Sequence, residues 1–104
     1  MEKFYNSIWE VENQSLVERV NICDDTDHYG YELQATIELK EPGRFSIDRL
    51  VATLHGKHAL HQFKKGDIVA AKLRFRTCKK HGELVNHISI EDIKLVKDLD
   101  YLFL

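Results

Sequence analysis

Residues 31 to 39, YELQATIEL, alternate without a break. Tyr31, Leu33, Ala35, Ile37 and Leu39 fall on one side of an extended chain, and Glu32, Gln34, Thr36 and Glu38 on the other. A period of two is the pattern of a half-buried strand and does not gather one face of a helix. The pattern returns in IVAAKLRFRT (68 to 77), where Leu73 and Phe75 alternate with Lys72, Arg74 and Arg76. Two such segments commit the chain to sheet, so the remaining question is which other segments complete it.

SLVERVNIC (15 to 23), RLVATLH (49 to 55) and LVNHISIEDIKLV (84 to 96) have the apolar and β-branched content of further strands. Between them lie turn formers: DDTDHYG, EPGRFSID with Pro42-Gly43, Gly66-Asp67, and CKKHGE around Gly82. EKFYNSIWEVE fits helix and strand equally and is read as part of an N-terminal extension, residues 1 to 14. The expected fold is all-β: five strands over residues 15 to 97, with a short helical segment, HALHQF, between the third and the fourth. Closing five strands into a small barrel removes the exposed edges that an open sheet would leave. With 104 residues, 43% of them hydrophobic, the chain supports one such domain and not two. DLDYLFL at the end is read as an acidic and apolar tail, residues 98 to 104.

The net charge of -2 conceals a division along the chain. Residues 1 to 48 hold 4 Lys or Arg against 11 Asp or Glu, a balance of -7, while residues 49 to 97 hold 11 against 4, a balance of +7. Such segregation either builds a basic surface on a weakly acidic protein or brings two halves together that neutralise each other. No apolar run approaches the ~20 residues of a membrane span, and the first residues lack the order of a signal peptide. A soluble cytoplasmic protein without a membrane partner is expected. Cys23 and Cys78, far apart and outside any CxxC, read as reduced thiols that are small, buried or half-buried apolar side chains.

LHGKHALHQF spaces His55, His58 and His61 by three. Zinc needs three or four ligands converging at ~2.0 to 2.3 Å. Along a helix such a spacing drifts by about 60° per step, and Gly56 interrupts the helix in any case. That leaves His58 and His61 as neighbours, too few for a site, so neither a metal nor any other cofactor is expected. The three are read as solvent-facing imidazoles. The chain has no GxSxG, glycine-rich phosphate loop, HExxH or assignable carboxylate pair, so no catalytic residue is named and no enzymatic activity is expected.

From YELQATIEL through RLVATLHGKHALHQFKKGDIVAAKLRF to the closing strand, the sequence resembles OB domains of the single-stranded DNA-binding and primosomal-protein type. It looks closest to a small bacterial family of uncharacterised OB proteins, through His55, Gly56, Lys57, Phe63, Lys65, Gly66, Asp67 and Val69. The resemblance covers roughly residues 15 to 97 and implies a five-stranded Greek-key barrel that binds single-stranded DNA or RNA. A Trp near strand three or five is usual in that family, whereas Trp9 falls outside the expected barrel.

Binding a single strand requires positive charge along the backbone path and aromatic faces for bases. Lys72, Arg74 and Arg76 form a basic stripe that continues into Lys79, Lys80 and His81 at the hairpin tip. Tyr29, Tyr31 and Phe45 are the aromatic candidates, while Phe63 and Phe75 are assigned to the core. Glu32, Glu38, Asp24, Asp25 and Asp27 oppose phosphate wherever they line the path. Tyr101, Leu102, Phe103 and Leu104 are expected to pack on the barrel, to join two copies, or to dock a protein partner. The contrasting reading is an interaction module that binds no nucleic acid. A carbohydrate or small-ligand site in the barrel mouth is a third.

Overall fold

The computed structural model describes residues 3–23, 29–42 and 49–96. Its elements follow in the order β1 (Lys3–Gln14), β2 (Glu18–Cys23), β3 (Tyr29–Lys40), β4 (Leu50–His55), α1 (Lys57–Leu60), β5 (Ile68–Lys80) and β6 (Glu83–Leu95). The strands form one sheet in the order β1-β5-β6-β4-β3-β2, and β1 pairs additionally with β3. All pairings are antiparallel except β4 with β6, which meet in parallel at Thr53 and Ser89. The all-β expectation holds, with two corrections. There are six strands among the described residues, not five, and residues 3 to 14 are a strand of the sheet rather than an extension.

β1 escaped the sequence reading because a bulge breaks its alternation. Val11 faces Leu39 and Asn13 faces Glu38, which leaves Glu12 as the extra residue. Val11 and Gln14, three positions apart, are therefore both buried. Trp9, placed outside the barrel from sequence, packs against the core from β1. β6 carries a second bulge: Lys72 pairs with Asp92 but Leu73 with Ile90, so Glu91 is the extra residue. The spacing Ile88, Ile90, Ile93 is its trace in the sequence.

β1 and β2 run along the same side of β3, at Ile37 to Lys40 and at Tyr29 to Gln34 respectively. Ser15 bridges the gap between them: its N–H donates to the Thr36 carbonyl at 2.8 Å and its Oγ accepts from the Thr36 N–H at 2.8 Å.

Ile37, Leu39, Leu54, Leu73, Val11 and Val69 are the largest fully buried side chains. Each contributes roughly 1.5 to 3 kcal/mol by leaving water. Ala35, Ile37 and Leu39 occupy the core as the alternation of β3 requires, whereas Tyr31 is 67% exposed. β4 pairs with β3 only from Gln34 onward, so Tyr31 lies beyond the core.

Gly56, at a φ of 59°, ends β4 in a conformation that side chains disfavour. The single turn of α1 follows and packs on β3 and β4. Ala59 and Phe63 are buried in the core, as expected of Phe63. This connection is tied to the end of β1: Gln14 Nε2 donates to the His61 carbonyl at 2.8 Å, and Gln14 Oε1 accepts from the Phe63 N–H at 2.9 Å. Val11 N–H donates to the Asp67 carbonyl and Gly66 N–H to the Val11 carbonyl, both at 2.8 Å.

Candidate nucleic-acid interface

Alternation along β5 sends Leu73 inward, fully buried, and Lys72 outward into solvent, with Arg74 half-buried and Arg76 exposed on the outward side. Phe75, on the inward side, packs against the core. Lys3 with Phe75 is the last pair between β1 and β5. Beyond it β5 is held only by β6, and residues 76 to 87 form a two-stranded ribbon among the described residues. Its tip is a two-residue turn in which His81 and Gly82 take φ values of 53° and 82°. Positive φ at both central positions is the hairpin turn whose twist matches the flanking strands.

The ribbon register divides the basic residues. Arg76 lies across from His87, on the side that continues Lys72 and Arg74, and position 80 pairs with Glu83. Lys79 lies across from Leu84 on the other side, and His81 sits at the turn. The six therefore do not form one row, because successive residues of a strand point to opposite faces. Cys78 is exposed, contrary to the expected burial, because among the described residues the ribbon has no further strand or core beneath it. Of Cys23 and Tyr29 the strand positions are described but not the side chains. Phe45, Tyr101, Leu102, Phe103 and Leu104 lie outside the described residues.

Two acids of β6 counter the near half of the stripe. Glu91 Oε1 accepts from Arg74 Nη1 at 3.1 Å, and Asp92 lies directly across from Lys72. Beyond Arg74 the balance changes: residues 76 to 87 contain Arg76, Lys79 and Lys80 against the single acid Glu83. The division of charge along the chain thus resolves in both ways. Acids of the first half meet cations of the second at Glu12, whose carboxylate has Lys65 at 3.4 Å and Arg49 at 3.6 Å, with Lys40 at 3.9 Å. Desolvation pushes the Glu12 carboxyl up, but the opposing charges of Lys65, Arg49 and Lys40 outweigh it and hold it below the ordinary carboxylate range. The ribbon keeps its positive excess.

The outward face also carries a row that sequence reasoning missed. His55 Nδ1 lies 3.1 Å from Glu32 Oε1, and the His55 and His87 rings meet edge to face at 6.4 Å. Arg76 lies across from His87, so the row crosses β3, β4, β6 and β5. His87 was legible as an outward residue from its phase with Ser89, but its neighbour His55 lies 32 positions earlier in the chain. His58 Nε2 sits 4.0 Å from Asp92 Oδ1, and the His61 ring lies on Phe63 at 4.3 Å. The three evenly spaced histidines thus have three different partners. Among the described residues no group of three or more His, Cys, Asp or Glu side chains could hold a metal ion.

Tyr31 is the one aromatic candidate with a described side chain, and the Arg19 guanidinium sits over its ring at 4.7 Å. Such a cation over a ring face is attractive and leaves the opposite face for another flat group. No helix among the described residues is long and apolar enough to cross a membrane. No family model matches the chain, and no curated protein matches it.

Proposed function

We propose that this chain is an OB barrel that binds single-stranded DNA or RNA without catalysing a reaction, through the outward face of β5 and the β5–β6 ribbon. The barrel reading is supported by the pairing path β1-β5-β6-β4-β3, which returns to β1. It is supported further by the parallel contact of β4 with β6 and by α1 between β4 and β5. In this reading β1 and β2 are one bent strand, interrupted at residues 15 to 17, which makes five strands, the first of them reaching well before the expected residues 15 to 23.

The observation that carries the binding reading is the row of Lys72, Arg74 and Arg76 along one face of β5, leading to a ribbon in which Arg76, Lys79 and Lys80 outnumber the single acid Glu83. Phosphate neutralisation by such residues gives affinity that falls with salt, with a slope near -0.7 per phosphate for single strands. Tyr31 has an exposed ring, but it lies on the side of β3 opposite Glu32 and the row that leads to Arg76, so any base stacked on it, worth about 1 to 3 kcal/mol, would be off the cation row. The exposed Cys78 thiol supports a reducing, cytoplasmic setting.

The test is fluorescence anisotropy of a labelled mixed-sequence oligonucleotide at low and rising salt. Wild type binds with a negative salt slope, and changing Arg76, Lys79 and Lys80 together to Glu abolishes binding. Absence of binding by folded wild type at low salt and micromolar protein removes the reading.

The alternative is a protein-interaction or self-associating module. Leu16, 82% exposed, and Val17 stand at the interruption beside β2, a strand paired on one side only among the described residues. An exposed apolar pair next to an open strand edge suits a partner strand. Sedimentation over a concentration series, on the full chain and on a chain lacking Tyr101 to Leu104, tests it. A constant monomer mass in both removes self-association.

A further inference from the structure

Ala70 is the small member of the outward face of β5: its side chain ends at Cβ, whereas the next three outward positions are Lys72, Arg74 and Arg76. It is flanked across the sheet by Ile8 of β1 and Lys94 of β6. The adjoining row is Asn6, Lys72 and Asp92, on the same three strands. A groove of about 400 Å³ lies over these residues. That volume falls in the range of sites for small ligands, roughly 300 to 1,000 Å³.

The lining selects a chemical class. Ile8 and Ala70 offer an apolar surface for the face of a flat ring, and the Asn6 amide can both donate and accept. Lys72 and Lys94 bring two ammonium groups from adjacent strands, which suits phosphate and disfavours an uncharged apolar ligand. Asp92 opposes phosphate beside Lys72 but leaves the lining one positive charge in excess, and it offers an acceptor to ring or exocyclic N–H groups, with His58 Nε2 4.0 Å from its carboxylate. A single carboxylate beside two lysines rules against a cation as the ligand.

We infer that this groove is a subsite for one nucleotide unit of a bound strand, with its phosphate between Lys72 and Lys94 and its base on Ile8 and Ala70. The inference rests on the nucleic-acid reading and extends it. The strand path runs from the ribbon along Arg76 and Arg74 into the groove, and Lys94 becomes a binding residue. Ala70 to Arg76 spans about 20 Å at the rise of a β-strand.

The experiment compares wild type, Ala70→Phe and Lys94→Glu with the reference variant Arg76→Glu. It measures anisotropy of labelled oligothymidylate across a salt series and amide NMR shifts of the full chain on adding thymidine 5′-monophosphate. Ala70→Phe fills the groove without changing charge, and is expected to weaken oligonucleotide binding by about fivefold with the salt slope unchanged, the scale of losing roughly 40 Å² of apolar contact between the base and Ile8 and Ala70. Lys94→Glu, at an exposed position, gives a second variant independent of how Ala70→Phe folds. It is expected to weaken binding and to reduce the salt slope by about one phosphate.

If both groove variants bind as wild type while Arg76→Glu weakens binding, the groove inference is overturned and the nucleic-acid reading stands. If thymidine monophosphate shifts the groove amides but neither variant alters oligonucleotide binding, the groove takes a free nucleotide and the strand subsite is overturned. If wild type binds no oligonucleotide, the functional reading fails and the inference falls with it.

Discussion

Glu91 accepts a hydrogen bond from Arg74 at 3.1 Å because a bulge in β6 turns it toward the outward face of β5. The acid competes with phosphate for the central cation of the stripe. Replacing Glu91 by Gln keeps the shape and removes the charge. Oligonucleotide affinity of Glu91→Gln is expected to rise about two- to fivefold at low salt, the scale of an exposed ion pair, and the gain should fade as salt rises. Unchanged or weaker binding in anisotropy would show that the strand does not pass Arg74.

Gln14 joins two segments that are far apart in the chain, with its amide bonded to the His61 carbonyl and the Phe63 N–H. Gln14→Leu preserves volume but leaves both backbone groups without that partner. A loss of about 1 to 3 kcal/mol is expected in denaturant titration, the cost of buried polar groups left unsatisfied. A loss within error would mean that the connection rearranges to reach water.

Glu12 gives the fold a specific pH dependence. Its carboxyl is held below its unfolded value by Lys65, Arg49 and Lys40, so its contribution is present in full above the ordinary carboxylate range. That contribution disappears as pH falls through the lowered folded value. Stability curves of wild type and Glu12→Gln should therefore differ near neutrality and converge in acid. Parallel curves down to the lowest pH at which both remain folded would contradict the assignment.

His81 occupies the first central position of the ribbon turn at a φ of 53°. Asn followed by Gly is the preferred pair for this turn. His81→Asn should raise thermal stability slightly, by about 0.5 kcal/mol, the scale of a surface substitution. It also separates the turn role from the binding role assigned to the imidazole. Weaker oligonucleotide binding by the better-folded variant would place His81 in contact with the strand, and unchanged binding would confine it to the turn.

Strands with unbroken alternation were legible: the inward faces of YELQATIEL from Ala35 on and of the stretch around Leu73 form much of the core, while Tyr31 at the start of the run lies beyond it. Phe63 as a core residue was equally legible, from its place after a Gly break and a short helical turn. β1 was not, because the extra residue Glu12 shifts Gln14 onto the buried side and gives the segment a mixed period. The same device in β6 hid the Glu91–Arg74 pair, so the stripe read from sequence carried more net positive charge than its near half has in the fold. Lys79 was grouped with Arg76 by proximity in the chain, although the pleat sets them on opposite faces of the ribbon.

The sequence by itself determined that the chain forms sheet, where β3, β4, β5 and β6 run, and that a row of cations lies along one face of β5. Those properties depend on side-chain alternation within a few residues. Only the tertiary structure decided that β1 closes the pairing path, that Gln14 anchors the segment containing His61 and Phe63, and that Glu91 and Asp92 stand against Arg74 and Lys72. The groove over Ala70 belongs to this second group, since its walls come from β1 and β6. Pairing between distant strands and the offset of a bulge are set by which surfaces bury together, and no local period in the chain encodes them.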